Sequence, residues 1–256
     1  MNATTKQDEL ESLLHSFRLP AFKKFYQQYA RQAEKERIDH VGYLFELSKL
    51  ENDERYNRRS ERLVRKSKLP KGKRLEDFDL SGFTGISQSQ IQQLAEGDGL
   101  DQAENVLIFG TPGTGKTHLA SALGREWCLR GRHVLFTTAS ALVQELLAAK
   151  RDLKLNGLLK KLDRFDALII DDISYIPQDR NETDVLFVLL SERYEKRSLV
   201  ITSNLPFSQW DKVFKDEMTT LAAVDRLVHH STVLELNGES FRVQAATNKK
   251  KAKKSQ

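Results

Sequence analysis

Gly110-Thr-Pro-Gly-Thr-Gly-Lys116-Thr117 has the spacing G-x-x-x-x-G-K-[ST]. Its glycines let successive backbone N–H groups turn inward around phosphate oxygens, and the following helix N-terminus adds partial positive charge. Gly110, Thr111, Pro112, Gly113, Thr114, Gly115, Lys116, Thr117 and His118 are therefore expected to cradle a nucleoside triphosphate. Lys116 is expected to bridge its β- and γ-phosphates and Thr117 to ligate Mg²⁺. Downstream, Ala167-Leu-Ile-Ile-Asp171-Asp172 ends an apolar run in two acids. At the carboxyl edge of a sheet, Asp171 would hold Mg²⁺, directly or through water, and Asp172 would polarise an attacking water. Leu199-Val-Ile-Thr202 runs into Ser203-Asn204, whose amide could orient that water between the γ-phosphate and Asp172. Taken alone, an Asn before Pro206 is also an ordinary turn residue.

These residues need a scaffold. Five short apolar runs, at 106–109, 134–136, 167–170, 199–202 and 233–236, alternate with helical segments. Continuous apolar strands separated by helices predict an α/β fold, a parallel sheet covered on both faces. The phosphate loop follows the first run and precedes an apolar helix, His118 to Trp127, which is the context the motif requires. Residues 1–68 read instead as helices. Leu10, Leu13, Leu14 and Phe17 form one stripe, stopped by Pro20; Phe22, Phe25, Tyr26 and Tyr29 form a second; Val41, Leu44, Phe45, Leu47 and Leu50 form a third. Pro70 and Gly72 mark a linker. The expected organisation is a small all-helical N-terminal domain over 1–70, an α/β domain over 75–245 and a disordered Lys-rich tail over 246–256. Adenine contacts are expected from Phe83 to Gln92, just ahead of the sheet.

The net charge is +5, yet residues 55–74 hold ten Lys or Arg against the single acid Glu61, and 249–254 hold five Lys and no acid. The rest of the chain is acidic, so the basic segments are where a polyanion would dock. Arg55, Arg58, Arg59, Arg62, Arg65 and Lys66 fall within an arc of roughly 120° on a helix. Such a face suits the phosphates of duplex DNA, bound with strong salt dependence and no sequence preference. A solvated basic face is the plainer alternative. A membrane surface fits less well, because Tyr56, Leu63 and Val64 make only a thin apolar face. No apolar run approaches the length of a membrane span, and Met1 to Glu11 carry no apolar signal core. The lone Cys128 excludes an internal disulfide, and a reducing cytoplasm is the expected location. His229 and His230 lack metal-ligand spacing and read as packing or surface residues.

Residues 110–120, 168–172, Ser191-Glu-Arg-Tyr-Glu-Lys-Arg-Ser198, Ile201-Thr-Ser-Asn-Leu-Pro-Phe207, Asp225-Arg-Leu-Val-His-His230, Gly238-Glu-Ser-Phe-Arg242 and Leu75-Glu-Asp-Phe-Asp-Leu80 lie in order along the chain. Together they resemble the IstB-like ATP-binding proteins of insertion sequences, AAA+ P-loop ATPases near the helicase loader DnaC and the initiator DnaA. The resemblance implies ATP and Mg²⁺ as ligands and ATP-dependent homo-oligomers on non-specific duplex DNA. It also implies remodelling of that DNA for a cognate transposase. It casts Arg226 as an arginine finger on a neighbour's nucleotide, and Arg242 as a second sensor. Arg193 is an alternative for contact across the subunit boundary. Independently, a guanidinium supplied by a neighbour neutralises charge on the transferred phosphoryl group and makes hydrolysis depend on assembly. The family more often pairs Asp with Glu; Asp172 departs from that and bears on hydrolysis rate. A helicase loader or replication initiator, a small-molecule kinase and a non-catalytic DNA-binding scaffold are the other readings.

Overall fold

The computed structural model describes residues 3–83, 85–175, 180–214 and 217–238. Arg242 and the lysines at 249–254, singled out above, lie outside them. The chain forms two compact units, Met1–Arg62 and Leu63–Gln256. The division falls inside a helix, eight residues before Pro70, where the sequence suggests a linker.

The first unit is helical: α1 (Ala3–Ser16), α2 (Pro20–Glu36) and most of α3 (His40–Lys66). Pro20 starts α2 rather than merely ending α1, since its fixed φ and missing N–H suit a first helical turn. Leu19, at the N-cap, offers no side-chain acceptor. The cap comes instead from α3, where the buried carboxylate of Glu51 accepts from the amides of Ala21 (2.7 Å) and Phe22 (3.4 Å). A negative charge against the free amides of a helix start is favourable on both counts. At the other end of α2, Arg37 adopts left-handed φ and Ile38 N–H reaches back to the Ala33 carbonyl, closing the last turn.

The second unit is built on five strands: β1 (Asn105–Gly110), β2 (Val134–Thr138), β3 (Ala167–Asp171), β4 (Ser198–Ser203) and β5 (Ser231–Leu236). Their order is β2-β3-β4-β1-β5 and every pairing is parallel. All five apolar runs are strands, each a residue or two longer than the sequence pattern suggests. Alternating side chains face opposite ways. Leu107, Phe109, Leu168, Ile170 and Ile201 join a core with α6 (Ala139–Arg151), α7 (Leu155–Leu162), α8 (Arg180–Arg193) and α9 (Glu217–Val228). Val106, Ile108, Ile169 and Val200 join the other, with α4 (Gln88–Glu96) and α5 (Lys116–Leu129). Leu63, from the last turn of α3, is buried in this second core, and Ser67 just beyond accepts a hydrogen bond from Phe136 N–H on edge strand β2. These residues are covered by the sheet unit, which is why the division precedes Pro70.

Two buried polar residues tie the helices to the sheet. Asn105 donates through Nδ2 to the Leu227 carbonyl at the end of α9 (3.1 Å) and accepts from Leu199 N–H on β4 (2.8 Å). Arg193, 1% exposed, donates to the carbonyls of Leu162 (2.9 Å), Phe165 (3.0 Å) and Ser198 (2.9 Å). Among the described residues, no helix is long and apolar enough to cross a membrane.

Candidate functional site

In this strand order β4 lies between β1 and β3, so the loops after all three open on one edge. That edge is where ligands bind in open parallel sheets. The phosphate loop leaves β1 at Gly110, whose φ of 152° and surroundings exclude a side chain: a Cβ there would meet the Leu236 carbonyl at 2.5 Å. Gly113 and Gly115 take φ of 93° and 94°, the left-handed region that turns the loop's amides inward. α5 then begins at Lys116. Lys116 is 7% exposed and its Nζ donates to the carbonyls of Gly110 (2.7 Å) and Thr111 (2.9 Å). The Thr114 side chain is buried and donates to the Thr111 carbonyl (2.9 Å), so it braces the loop from within.

Across the edge, Thr117 Oγ1 lies 2.9 and 3.1 Å from the two carboxylate oxygens of Asp171. A hydroxyl and a carboxylate side by side form a hard oxygen donor set of the kind that suits Mg²⁺. Asp172 follows with φ of +60°, a conformation Asp tolerates better than most residues. Its two oxygens both accept from Asn204 Nδ2, at 3.0 and 2.9 Å. Burial pushes the Asp172 carboxyl above its ordinary value; hydrogen bonds from Asn204 and Ser174 pull it back, and the charge of Asp171 adds to the rise. The structure thus brings Lys116, Thr117, Asp171, Asp172 and Asn204 together at one edge.

A cavity of about 710 Å³ opens beside them. Pro112, Gly113, Gly115, Lys116, Thr117, His118, Asp172, Thr202 and Asn204 line one side, and Lys73, Asp77, Phe78 and Asp79 the other. The second group, Lys73 to Asp79, lies just ahead of the segment from which base contacts are expected. Phe83 is buried and stacked parallel to Phe78, and Gln88, Ile91 and Gln92 line a separate cavity. His118 is held by the Arg74 carbonyl (2.9 Å) and tilts against the Phe78 ring at 5.4 Å. That hydrogen bond fastens the 73–79 segment to α5. Leu75-Glu-Asp-Phe-Asp-Leu80 carries no phosphate-loop signature, so only its position ahead of the sheet could have pointed to it.

Arg226 does not line this cavity. Its guanidinium donates to Ser191 Oγ (2.8 Å) and sits 4.7 Å over the Phe187 ring, both on α8. Arg193, the sequence's alternative for a contact across the subunit boundary, is buried and not exposed for one. It is the buried clamp described earlier, and burial lowers its guanidinium to about 10, still charged at neutral pH. His229 and His230 are exposed, with the Glu195 carboxylate 3.9 and 4.0 Å away and the Tyr194 hydroxyl 3.0 Å from His229 Nδ1.

Arg55, Arg58, Arg59, Arg62, Arg65 and Lys66 on α3 are all exposed. Two have local duties that the sequence does not reveal. Arg55 reaches Glu51 Oε1 (3.0 Å) and donates to the Arg18 carbonyl (2.7 Å), and Arg58 reaches the same carboxylate oxygen at 3.3 Å. The buried Glu51 therefore carries both the α2 amides and two guanidinium groups.

The family model described as IstB-like ATP binding protein matches residues 12–251. An insertion-sequence ATP-binding protein of Sinorhizobium fredii is 44% identical over 249 residues, covering 97% of this chain and 84% of its own length. The insertion sequence IS21 ATP-binding protein of Pseudomonas aeruginosa is 36% identical over 236 residues, covering 92% and 89%. Among solved structures, AMPPCP-bound DnaA from Aquifex aeolicus superposes with a TM-score of 0.56 at 20% identity, covering 72% of this chain and 56% of that one. DnaI superposes with a TM-score of 0.52 at 20% identity, covering 70% and 92%. These likenesses establish the AAA+ P-loop fold.

Proposed function

The chain belongs to the IstB-like ATP-binding protein family, and from that membership we propose that it hydrolyses ATP to drive assembly on target duplex DNA for a partner transposase. The observation that carries the reading is the convergence of Lys116, Thr117, Asp172 and Asn204 on one cavity, with Asp171 hydrogen-bonded to Thr117 beside them and Arg226 packed against α8 outside the cavity lining.

In this reading the loop amides and Lys116 bind the phosphates, and the base lies toward Phe78 and Lys73. Thr117 and Asp171 would hold Mg²⁺, which when bound neutralises charge on the phosphates. Asp172, held by Asn204, orients and polarises the attacking water. A carboxylate raised by burial is a better proton acceptor than a free one, which offsets part of the missing methylene relative to glutamate. Arg226 is then supplied to a neighbouring copy's nucleotide, so turnover requires a homo-oligomer. The exposed arginines of α3 and Lys66 neutralise DNA phosphates without reading sequence. The finer consequence, remodelling of the duplex and recruitment of the transposase, follows from a polymer that changes its seams on hydrolysis. Each of these steps acts in the cytoplasm, where the substrate DNA lies.

The test is phosphate release by the full chain, measured against protein concentration with and without duplex DNA. Turnover per subunit is expected to rise with both. A rate that is flat in protein concentration would remove the shared site, and with it the role of Arg226.

A further inference from the structure

The reading above gives no task to Thr202. Its side chain stands at the carboxyl end of β4, the strand flanked by the phosphate-loop strand and the Asp171 strand, and it is 1% exposed. Its Oγ1 accepts from the Asp172 amide at 2.7 Å and donates to Asp171 Oδ1 at 2.8 Å. A hydroxyl has one proton to give, and here it is committed to Asp171. Asp171 Oδ1 thus faces two hydroxyls, Thr117 from the phosphate loop and Thr202 from the neighbouring strand. The lone pair of Thr202 fixes the other acid. Asp172 leaves the strand at φ of +60°, and its anchored amide holds that turn in the orientation that presents both carboxylate oxygens to Asn204. One side chain on the central strand therefore sets the aim of two acids on the next.

We propose that Thr202 is a positioning residue that registers Asp171, as cation holder, against Asp172, as the group facing water. This rests on the assignment of the cation to Thr117 and Asp171 and of hydrolysis to Asp172. Valine has nearly the same shape but can neither donate nor accept, so it leaves Asp171 with one hydroxyl and the Asp172 amide without its acceptor. Groups that support metal ligands in this way typically matter to metal affinity by one to two orders of magnitude. A residue that merely fills the strand would not affect the cation at all.

The test is a Mg²⁺ titration of the full chain with a fluorescent ATP analogue, paired with phosphate release. Thr202→Val is expected to raise the Mg²⁺ midpoint roughly tenfold or more. It should also lower kcat, while KM for ATP at saturating Mg²⁺ stays within about twofold. Thr202→Ser, which keeps the hydroxyl, should match wild type in both. If the valine variant does not fold, Thr202→Cys, a weak donor and acceptor of similar size, decides by the same midpoint. A lowered melting temperature with an unchanged Mg²⁺ midpoint would overturn the proposal. Should wild type bind the analogue with Mg²⁺ yet release no phosphate, the hydrolysis reading of Asp172 fails, and the midpoint still decides Thr202.

Discussion

The sheet edge and the N-terminal helices use polar side chains in opposite ways. At the edge, Thr117, Asp171, Thr202, Asp172 and Asn204 satisfy one another in a chain of bonds between 2.7 and 3.1 Å. Each comes from a strand end or helix start whose backbone is already fixed by parallel ladders and two apolar cores. In the first unit, Leu14, Ala21, Ala33 and Leu47 are the only buried apolar residues among those described, while Phe17, Val41, Leu44 and Phe45 are exposed. There a single carboxylate, Glu51, orders the helices by binding two amides and two guanidinium groups. A preorganised site converts small displacements into large rate losses. An open helical unit converts comparable changes into modest losses of stability or affinity.

That contrast is tested first where the effect should be largest. If Arg226 serves a neighbour's nucleotide as proposed, Arg226→Ala is expected to lower turnover roughly 10³-fold at saturating ATP and DNA, because it removes the guanidinium that neutralises charge on the transferring phosphoryl group. The variant loses one hydrogen bond to Ser191 and the stacking on Phe187, so its melting temperature should move little. Phosphate release near the wild-type rate would show that Arg226 only packs α9 on α8. Next comes Asn204→Ala, expected to cost roughly a hundredfold in kcat. It frees the Asp172 carboxylate from its one amide partner without touching the phosphate loop, so ATP binding should persist. A matched loss of nucleotide affinity would mean that Asn204 belongs to binding rather than to the chemistry.

Much of the edge was legible in the sequence because its signals are local. The phosphate loop announces itself through glycine spacing, and Asp171-Asp172 and Asn204 are read as the ends of apolar runs. Thr202 was invisible for the same reason: within Leu199-Val-Ile-Thr it is one more β-branched strand residue, and its role arises only when β4 is placed between β1 and β3. Arg193 misled, since a charged residue near the end of a helix reads as surface, whereas three carbonyls from separate segments converge on it. The capping role of Glu51 leaves no local signal, because the two amides it accepts from belong to Ala21 and Phe22, far away along the chain. Lys73, Asp77, Phe78 and Asp79 line the cavity although no spacing rule in the sequence marks them.

Glu51 gives the intermediate effect. Glu51→Ala leaves the α2 amides uncapped and two arginines unpaired, and should destabilise the first unit by about 1–3 kcal/mol. Calorimetry of the full chain should show that loss while ATP binding is retained, since the phosphate loop lies in the other unit. A fall in ATP affinity as large as the fall in stability would contradict a division of labour between the two units.

The smallest effect separates the basic residues of the first unit from one another. Arg55 and Arg58 are engaged with Glu51, so replacing either cannot separate a DNA contact from folding. Arg59 and Arg62 are exposed on the same helix, and their replacement tests phosphate contact more directly. For contacts to duplex DNA, log K falls with log salt at a slope of about 0.9 per phosphate neutralised. Arg59→Ala and Arg62→Ala are each expected to reduce that slope by about one, uniformly across DNA sequences and without a change in melting temperature. A sequence-dependent loss would mean base contact instead of backbone contact. If the double variant keeps the wild-type slope, these arginines do not touch DNA, and the lysines at 249–254 become the cations to replace next.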